Sequence, residues 1–205
     1  MIGGVRRGVR AAGVLLAAGA STRMGENKLV LDFAGEPLVR RAARAALDAG
    51  LAPLVAVVGH EEERTRAVLS GLPCVVVPNP RHALGMSTSL DAGVAAVPEE
   101  AEAAVVLLAD MPLVTAAMIG AVVARHAASG APVVTSRYGE VTAPPTLYAR
   151  ALLAELRGGE GEGRGREVVR RHAAHAVFVD WPAEWLADVD RAGDLARALQ
   201  AEEAR

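Results

Sequence analysis

Cysteine is nearly missing from this chain: Cys74 stands alone among 205 residues. One thiol can form no intrachain disulfide and no cysteine-based zinc site, and a reducing cytoplasm is the compartment expected. Aromatic residues are scarce, at 3%, so the core must be closed by small aliphatic side chains, chiefly Ala and Val. Excess charge is lacking too. A formal net charge of −2 provides no general attraction for nucleic acid or a membrane surface, and neither is expected as a partner. No apolar run is long enough to span a membrane, and the run that follows Arg6, Arg7 and Arg10 is too soon broken by glycine to act as a signal peptide. His60, His82 and His126 show no metal-ligand spacing, so surface or packing roles are expected of them.

What is present is apolar and punctuated. Hydrophobic residues make up 52% of the chain, enough to bury a core at a length that suits one domain. The expectation is a single domain over residues 1–205, with 1–11 a flexible tail and the glycine-rich stretch 157–166 a mobile loop. The run from Val14 to Ala18 reads as a buried strand, and it breaks at Gly19 into a loop that ends at Lys28. Gly19 and Gly25 let the backbone turn and bring N–H groups to an anion, Ser21 and Thr22 add hydroxyls, and Arg23 and Lys28 add positive charge. Such a loop is built for phosphate. It is not a Walker loop, because five residues separate Gly19 from Gly25 and Lys28 comes three later, where that motif needs four residues and an immediate Lys. Nor is it the dinucleotide fingerprint G-x-G-x-x-G.

Downstream, Pro37 sits at a first-turn position before the helical run Leu38, Val39, Ala42, Ala45, Ala46, Ala49, which Gly50 stops. A strand over Leu54 to Val58, a helix over Glu61 to Leu69 and a strand over Pro73 to Val77 follow. Apolar strands alternating with helices imply a mostly parallel sheet covered on both faces, an α/β fold of three layers, α/β/α. Ligands bind at the carboxyl ends of strands in such sheets, where the loop from Gly19 lies. A helix is expected from about Gly85 to Val97, its hydroxyls Ser87, Thr88 and Ser89 read first as caps, with Met86 and Leu90 as core residues. The strand Ala103 to Ala109 ends in Asp110, a carboxylate facing the same crevice, where a Mg²⁺ ligand is needed; Thr115 already serves as N-cap for Ala116 to Ser129. Strands are expected at Val133 to Ser136, Pro145 to Tyr148 and Ala176 to Val179, a helix over Glu167 to His172, and packing roles for Trp181 and Trp185.

The stretch LAAGASTRMGENK resembles the L-A-[AG]-G-x-[GS]-x-R-M-G-x-x-K signature of the nucleotidyltransferase superfamily, in particular its molybdenum cofactor cytidylyltransferase branch. That resemblance implies a Rossmann-like, nucleotide-diphospho-sugar transferase type of fold. It implies nucleotide binding by Leu16, Ala17, Ala18, Gly19, Ser21, Thr22 and Gly25, and by Asn79, Gly85, Ser87 and Ser89. Arg23, Lys28 and Asp110 become the catalytic residues. Asp110 matches the Asp of [GA]-D-[MQ]-P, and Asp190 matches the second Asp of D-[IV]-D-T-P-E-D-L, so the pair would hold Mg²⁺; helix capping is the competing reading of Asp190. Arg166 matches the last residue of G-[DE]-x-G-A-R and is the acceptor-binding candidate. Where relatives often carry Gly-His-Pro, this chain has Ala143-Pro144-Pro145.

The activity so implied is transfer of CMP from CTP to molybdopterin, with release of pyrophosphate and delivery of the product to a molybdenum oxidoreductase. Two alternatives stand beside it: transfer from GTP or another NTP to a sugar or alcohol phosphate, and a non-catalytic carrier of the finished cofactor.

Overall fold

The computed structural model describes residues 8–20, 27–189 and 192–203. Its strands are β1 (Ala11–Ala17), β2 (Asp32–Phe33), β3 (Glu36–Pro37), β4 (Leu54–Val58), β5 (Cys74–Pro78), β6 (Ala103–Leu108), β7 (Val133–Tyr138), β8 (Val141–Ala149) and β9 (Ala176–Trp181). The helices are α1 (Leu38–Asp48), α2 (Glu62–Leu69), α3 (Met86–Ala95), α4 (Ala116–Ser129), α5 (Arg164–Arg171) and α6 (Ala192–Glu203). Seven strands form one sheet in the order β5-β4-β1-β6-β8-β7-β9, and β2 and β3 form a separate two-stranded hairpin. The order places β1 in the middle because β4 and β6 both pair with it in parallel.

The sheet has two halves. From β5 to β6 every pairing is parallel. β8 then runs antiparallel to both β6 and β7, and β9 returns parallel to β7. The carboxyl ends of β1, β4, β5, β6, β7 and β9 therefore share one edge, together with the start of β8. That edge carries the loop from Gly19 and the turn at Asp110, where ligands bind in open α/β sheets.

Alternate residues of β1 point to opposite faces. Leu15 and Ala17 pack with Val39, Ala43 and Ala46 of α1, Leu69 of α2 and Ile119 and Val122 of α4. Val14 and Leu16 pack on the other side with Leu90 and Val94 of α3, Leu152, Leu153 and Leu156 of a 3-10 turn, and Val168 of α5. The three-layer expectation is thus met, and the small side chains are what permit it. In α3, a Cβ on Gly93 would lie 2.5 Å from Val14 Cγ1 and 2.9 Å from Val57 Cγ2, so the helix rests directly on β1 and β4.

The structure corrects several sequence boundaries. β1 starts at Ala11, inside the expected tail, because Ala11 and Ala12 already pair with Ala103 and Ala104. β7 and β8 run further than expected and meet in a two-residue turn at Gly139, whose φ is +59°. Between Thr135 and Ser136 the register slips, so that Ser136 faces Ala143 and Thr135 faces Thr146. The residues skipped are Pro144 and Pro145. Proline has no N–H to give to a ladder, which is why the strand bulges there rather than ending. α5 begins at Arg164, so the last residues of the glycine-rich stretch form a helical turn. Trp181 and Trp185 do pack, with stacked rings whose centroids are 5.9 Å apart.

Candidate nucleotide-binding site

Two adjoining cavities open at the carboxyl edge of the sheet. The first, about 450 Å³, is lined by Leu16 of β1 with Ala18, Gly19 and Ala20 just beyond it, by Lys28, by Leu108 at the end of β6 with Asp110 beyond it, and by His82, Gly85, Met86 and Ser89 around the start of α3. The second, about 300 Å³, lies over β6, β8 and β7. Leu16, Met86, Leu108 and Glu162 border both.

At the floor of the first cavity, Lys28 Nζ donates to Asp110 Oδ2 at 2.6 Å. The two residues are 82 positions apart, and β1 pairing with β6 is what brings them together. Asn27 positions the lysine: its Oδ1 accepts from Leu29 N at 3.1 Å and so caps the 3-10 turn Lys28–Val30. Lys28 is buried to 9% side-chain exposure, and Asp110 keeps 24%. The carboxylate can thus reach both the lysine and a ligand. Val189 N donates to the Asp110 carbonyl at 3.0 Å, which joins the chain just before Asp190 to the end of β6.

Asn79 and the α3 hydroxyls form a brace behind the cavity. Asn79 Nδ2 donates to Thr88 Oγ1 (2.9 Å) and Ser89 Oγ (3.0 Å), while its Oδ1 accepts from Arg81 N. Both ends of the amide are thus engaged within the protein, and Asn79 holds α3 against the end of β5. None of the three hydroxyls caps α3, contrary to expectation. Thr88 Oγ1 instead donates back to the carbonyls of Arg81 and Gly85. The helix start is closed from outside: Met86 N donates to Glu162 Oε1 at 3.1 Å and Ser87 N to the Gly161 carbonyl at 3.0 Å. Gly161 N in turn donates to the Leu84 carbonyl. The approach requires Gly85, where φ is +106° and a Cβ would lie 2.4 Å from the Gly161 oxygen.

Of the sequence candidates, Leu16, Ala18, Gly19, Lys28, Gly85, Ser89 and Asp110 line the first cavity, while Ser87 and Arg166 line the second. Ala17 is the buried last residue of β1. Ser21, Thr22, Arg23, Gly25 and Asp190 lie outside the described residues. Met86, expected in the core, is 44% exposed and stands between the cavities. His82, expected in a surface or packing role, lines the first cavity and packs there, its Cβ filling the space over Gly59. Glu162 was missed as well; the signal was its place at the acidic position of the G-[DE]-x-G-A-R pattern.

The donor set suits a hard divalent cation. Mg²⁺ takes one or two carboxylates and completes its shell with phosphate oxygens and water. Among the described residues no three His, Cys, Asp or Glu side chains cluster as metal ligands.

A mostly parallel α/β sheet with a buried lysine against an acidic strand end is the architecture of nucleotidyltransferases. Solved structures share it. The Rv0371c protein of Mycobacterium tuberculosis H37Rv, also solved as a manganese complex, superposes with a TM-score of 0.82 at 26% identity, covering 95% of this chain and 100% of that one. A nucleotidyl transferase from Methanothermobacter superposes with a TM-score of 0.81 at 23% identity, over 97% of this chain and 100% of its own. The bifunctional protein GlmU of Heliobacterium modesticaldum is 31% identical over 165 residues, which is 76% of this chain and 36% of that protein. The chain thus spans about a third of the length of that curated relative. Residues 13–177 match the family model for the MobA-like NTP transferase domain, and the chain belongs to that family.

Proposed function

We propose that the protein transfers CMP from CTP to the phosphate of molybdopterin, releasing pyrophosphate. The observation that carries nucleotidyl transfer is the Lys28–Asp110 pair at 2.6 Å on the floor of a cavity bounded by Gly19 and Gly85. CTP and molybdopterin rest on the resemblance of LAAGASTRMGENK to the cytidylyltransferase branch.

In this reading the triphosphate lies along the loop from Gly19 to Lys28, with Arg23 beside it. Asp110, with Asp190, would hold Mg²⁺, which supplies neutralisation of the phosphate charge. A manganese complex of the mycobacterial relative supports a divalent ion at this fold. An oxygen of the acceptor phosphate attacks the α-phosphorus in line, and the bond from that phosphorus to the bridging oxygen breaks. The acceptor phosphate is already ionised, so no general base is needed; catalysis comes from positioning and charge. Lys28 stabilises charge that grows on the transferred and leaving phosphates. Asn79 acts through Ser89 and Thr88, holding the cavity wall in place.

Pyrophosphate release from CTP, GTP, ATP and UTP, each with molybdopterin, glucose 1-phosphate or glycerol phosphate, tests the reading. CTP with molybdopterin should dominate. Turnover confined to another pair would assign the enzyme to that acceptor class, and binding of the finished dinucleotide without any turnover would favour a carrier.

A further inference from the structure

The first cavity crosses the carboxyl edge of the sheet from one face to the other. Lys28 enters on the α1 side, where its neighbour Leu29 packs with Val39 and Ala43. α3 closes the opposite side, where Leu90 and Val94 pack. Among the described lining residues, charge stands at both ends, Lys28 with Asp110 at the first and the Glu162 carboxylate at the second. Lys28 attracts a triphosphate and Glu162 repels it, so this polarity turns a bound nucleotide with its phosphates toward Lys28 and its base toward α3. At the α3 end an acceptor and a donor complement each other. Glu162 Oε1 accepts from Met86 N at 3.1 Å, which holds the carboxylate at the helix start, and among the described residues Oε2 takes no hydrogen bond. Arg164, close in sequence, pairs with Glu167 instead (3.8 Å). Ser89 Oγ accepts from Asn79 Nδ2 at 3.0 Å, and its own hydroxyl hydrogen is committed to no described residue.

We infer that Glu162 sets the base preference: its second carboxylate oxygen accepts from an exocyclic amino group, which favours cytosine over uracil. This rests on the nucleotidyl transfer reading and names the residue that selects its nucleotide. Cytosine carries an amino donor at C4 beside an acceptor at N3, the complement of Glu162 beside Ser89. Uracil inverts both positions, with an oxo group at C4 and an N–H at N3. An ionised carboxylate can only accept, so the uracil oxo group meets it with like polarity and forms no bond. Glu162 is exposed and water competes for it, so the discrimination is about tenfold, the low end for a hydrogen bond to a charged group. The two carboxylate oxygens thus have separate tasks, closure of α3 by Oε1 and choice of base by Oε2.

The test is isothermal titration of the full chain with MgCTP and with MgUTP, for the wild type, Glu162→Gln and Glu162→Ala. The wild type should bind MgCTP about tenfold more tightly than MgUTP. A glutamine oxygen still accepts from Met86 N, while its amino group turns a donor toward the base. Glu162→Gln should therefore bring the ratio to parity or invert it, and Glu162→Ala should leave the two affinities within about twofold. A Glu162 that only caps α3 would keep the wild-type ratio in Glu162→Gln, and that result overturns the inference. Equal affinities in the wild type overturn it too; if pyrophosphate release from MgCTP persists, the transferase reading stands without it. Binding of neither nucleotide overturns the inference and the transferase reading together.

Discussion

Lys28 and Asp110 show why the choice of substitution matters at a charged pair. Asp110→Ala would remove the carboxylate beside a 9% exposed ammonium, and breaking a buried ion pair from one side is costly. Asp110→Asn keeps an oxygen for the lysine and removes the charge a metal needs. It should lower kcat by about 100-fold or more in a pyrophosphate-release assay while shifting the melting temperature by a few degrees at most. Lys28→Met should also lower kcat by about 100-fold. Asn79→Ala belongs to a different class. It strips Thr88 and Ser89 of a buried donor and should destabilise the fold by about 1–3 kcal/mol, read as a fall in denaturation midpoint, because its amide braces the wall.

Elements are joined at this site by a few long-range ties. Asp91 on α3 binds Arg81, Arg157 and Gly158 N, and so fastens the start of the glycine-rich stretch to the helix. Burial raises the Asp91 carboxyl, but the Arg157 guanidinium, the Gly158 N–H and Arg81 outweigh it and hold the group below the usual carboxylate range. A folded pKa below the unfolded one means that the tie is complete above the unfolded value of about 4 and is lost as the pH falls through the folded one. Amide exchange in residues 157–163 should therefore accelerate in acid beyond its intrinsic pH dependence, and in Asp91→Asn at neutral pH. The contact of α3 with the sheet sets a second limit. Gly93→Ala puts a methyl 2.5 Å from Val14 Cγ1 and should cost about 1–3 kcal/mol by overpacking, measured by chemical denaturation.

For the whole molecule, a ligand that binds the folded chain alone raises its stability by mass action. MgCTP at 100 times its dissociation constant contributes about 2.7 kcal/mol, or roughly 5–10 °C in melting temperature for a chain of this size. A rise with MgCTP larger than with MgGTP at equal concentration would mark cytidine as the preferred base. The parallel half of the sheet was legible in the sequence because β1, β4 and β6 are unbroken apolar runs with both faces covered, and each ends in a turn. Asp110 was legible from its place at the end of such a run. The other half was harder to read. Arg137 and Tyr138 look like connector residues, yet the hairpin extends through them and carries the paired prolines in a bulge that no periodicity announces. The closure of α3 by Gly161 and Glu162 joins residues 76 positions apart, and local capping rules do not look that far.

Where Gly85 meets Gly161, main chain touches main chain, and a Cβ on Gly85 would have no room. The seam between the nucleotide chamber and its neighbour is consequently as thin as a polypeptide can make it. The side chains that face both chambers are Leu16, Met86, Leu108 and Glu162, and of these just Glu162 is a charged type.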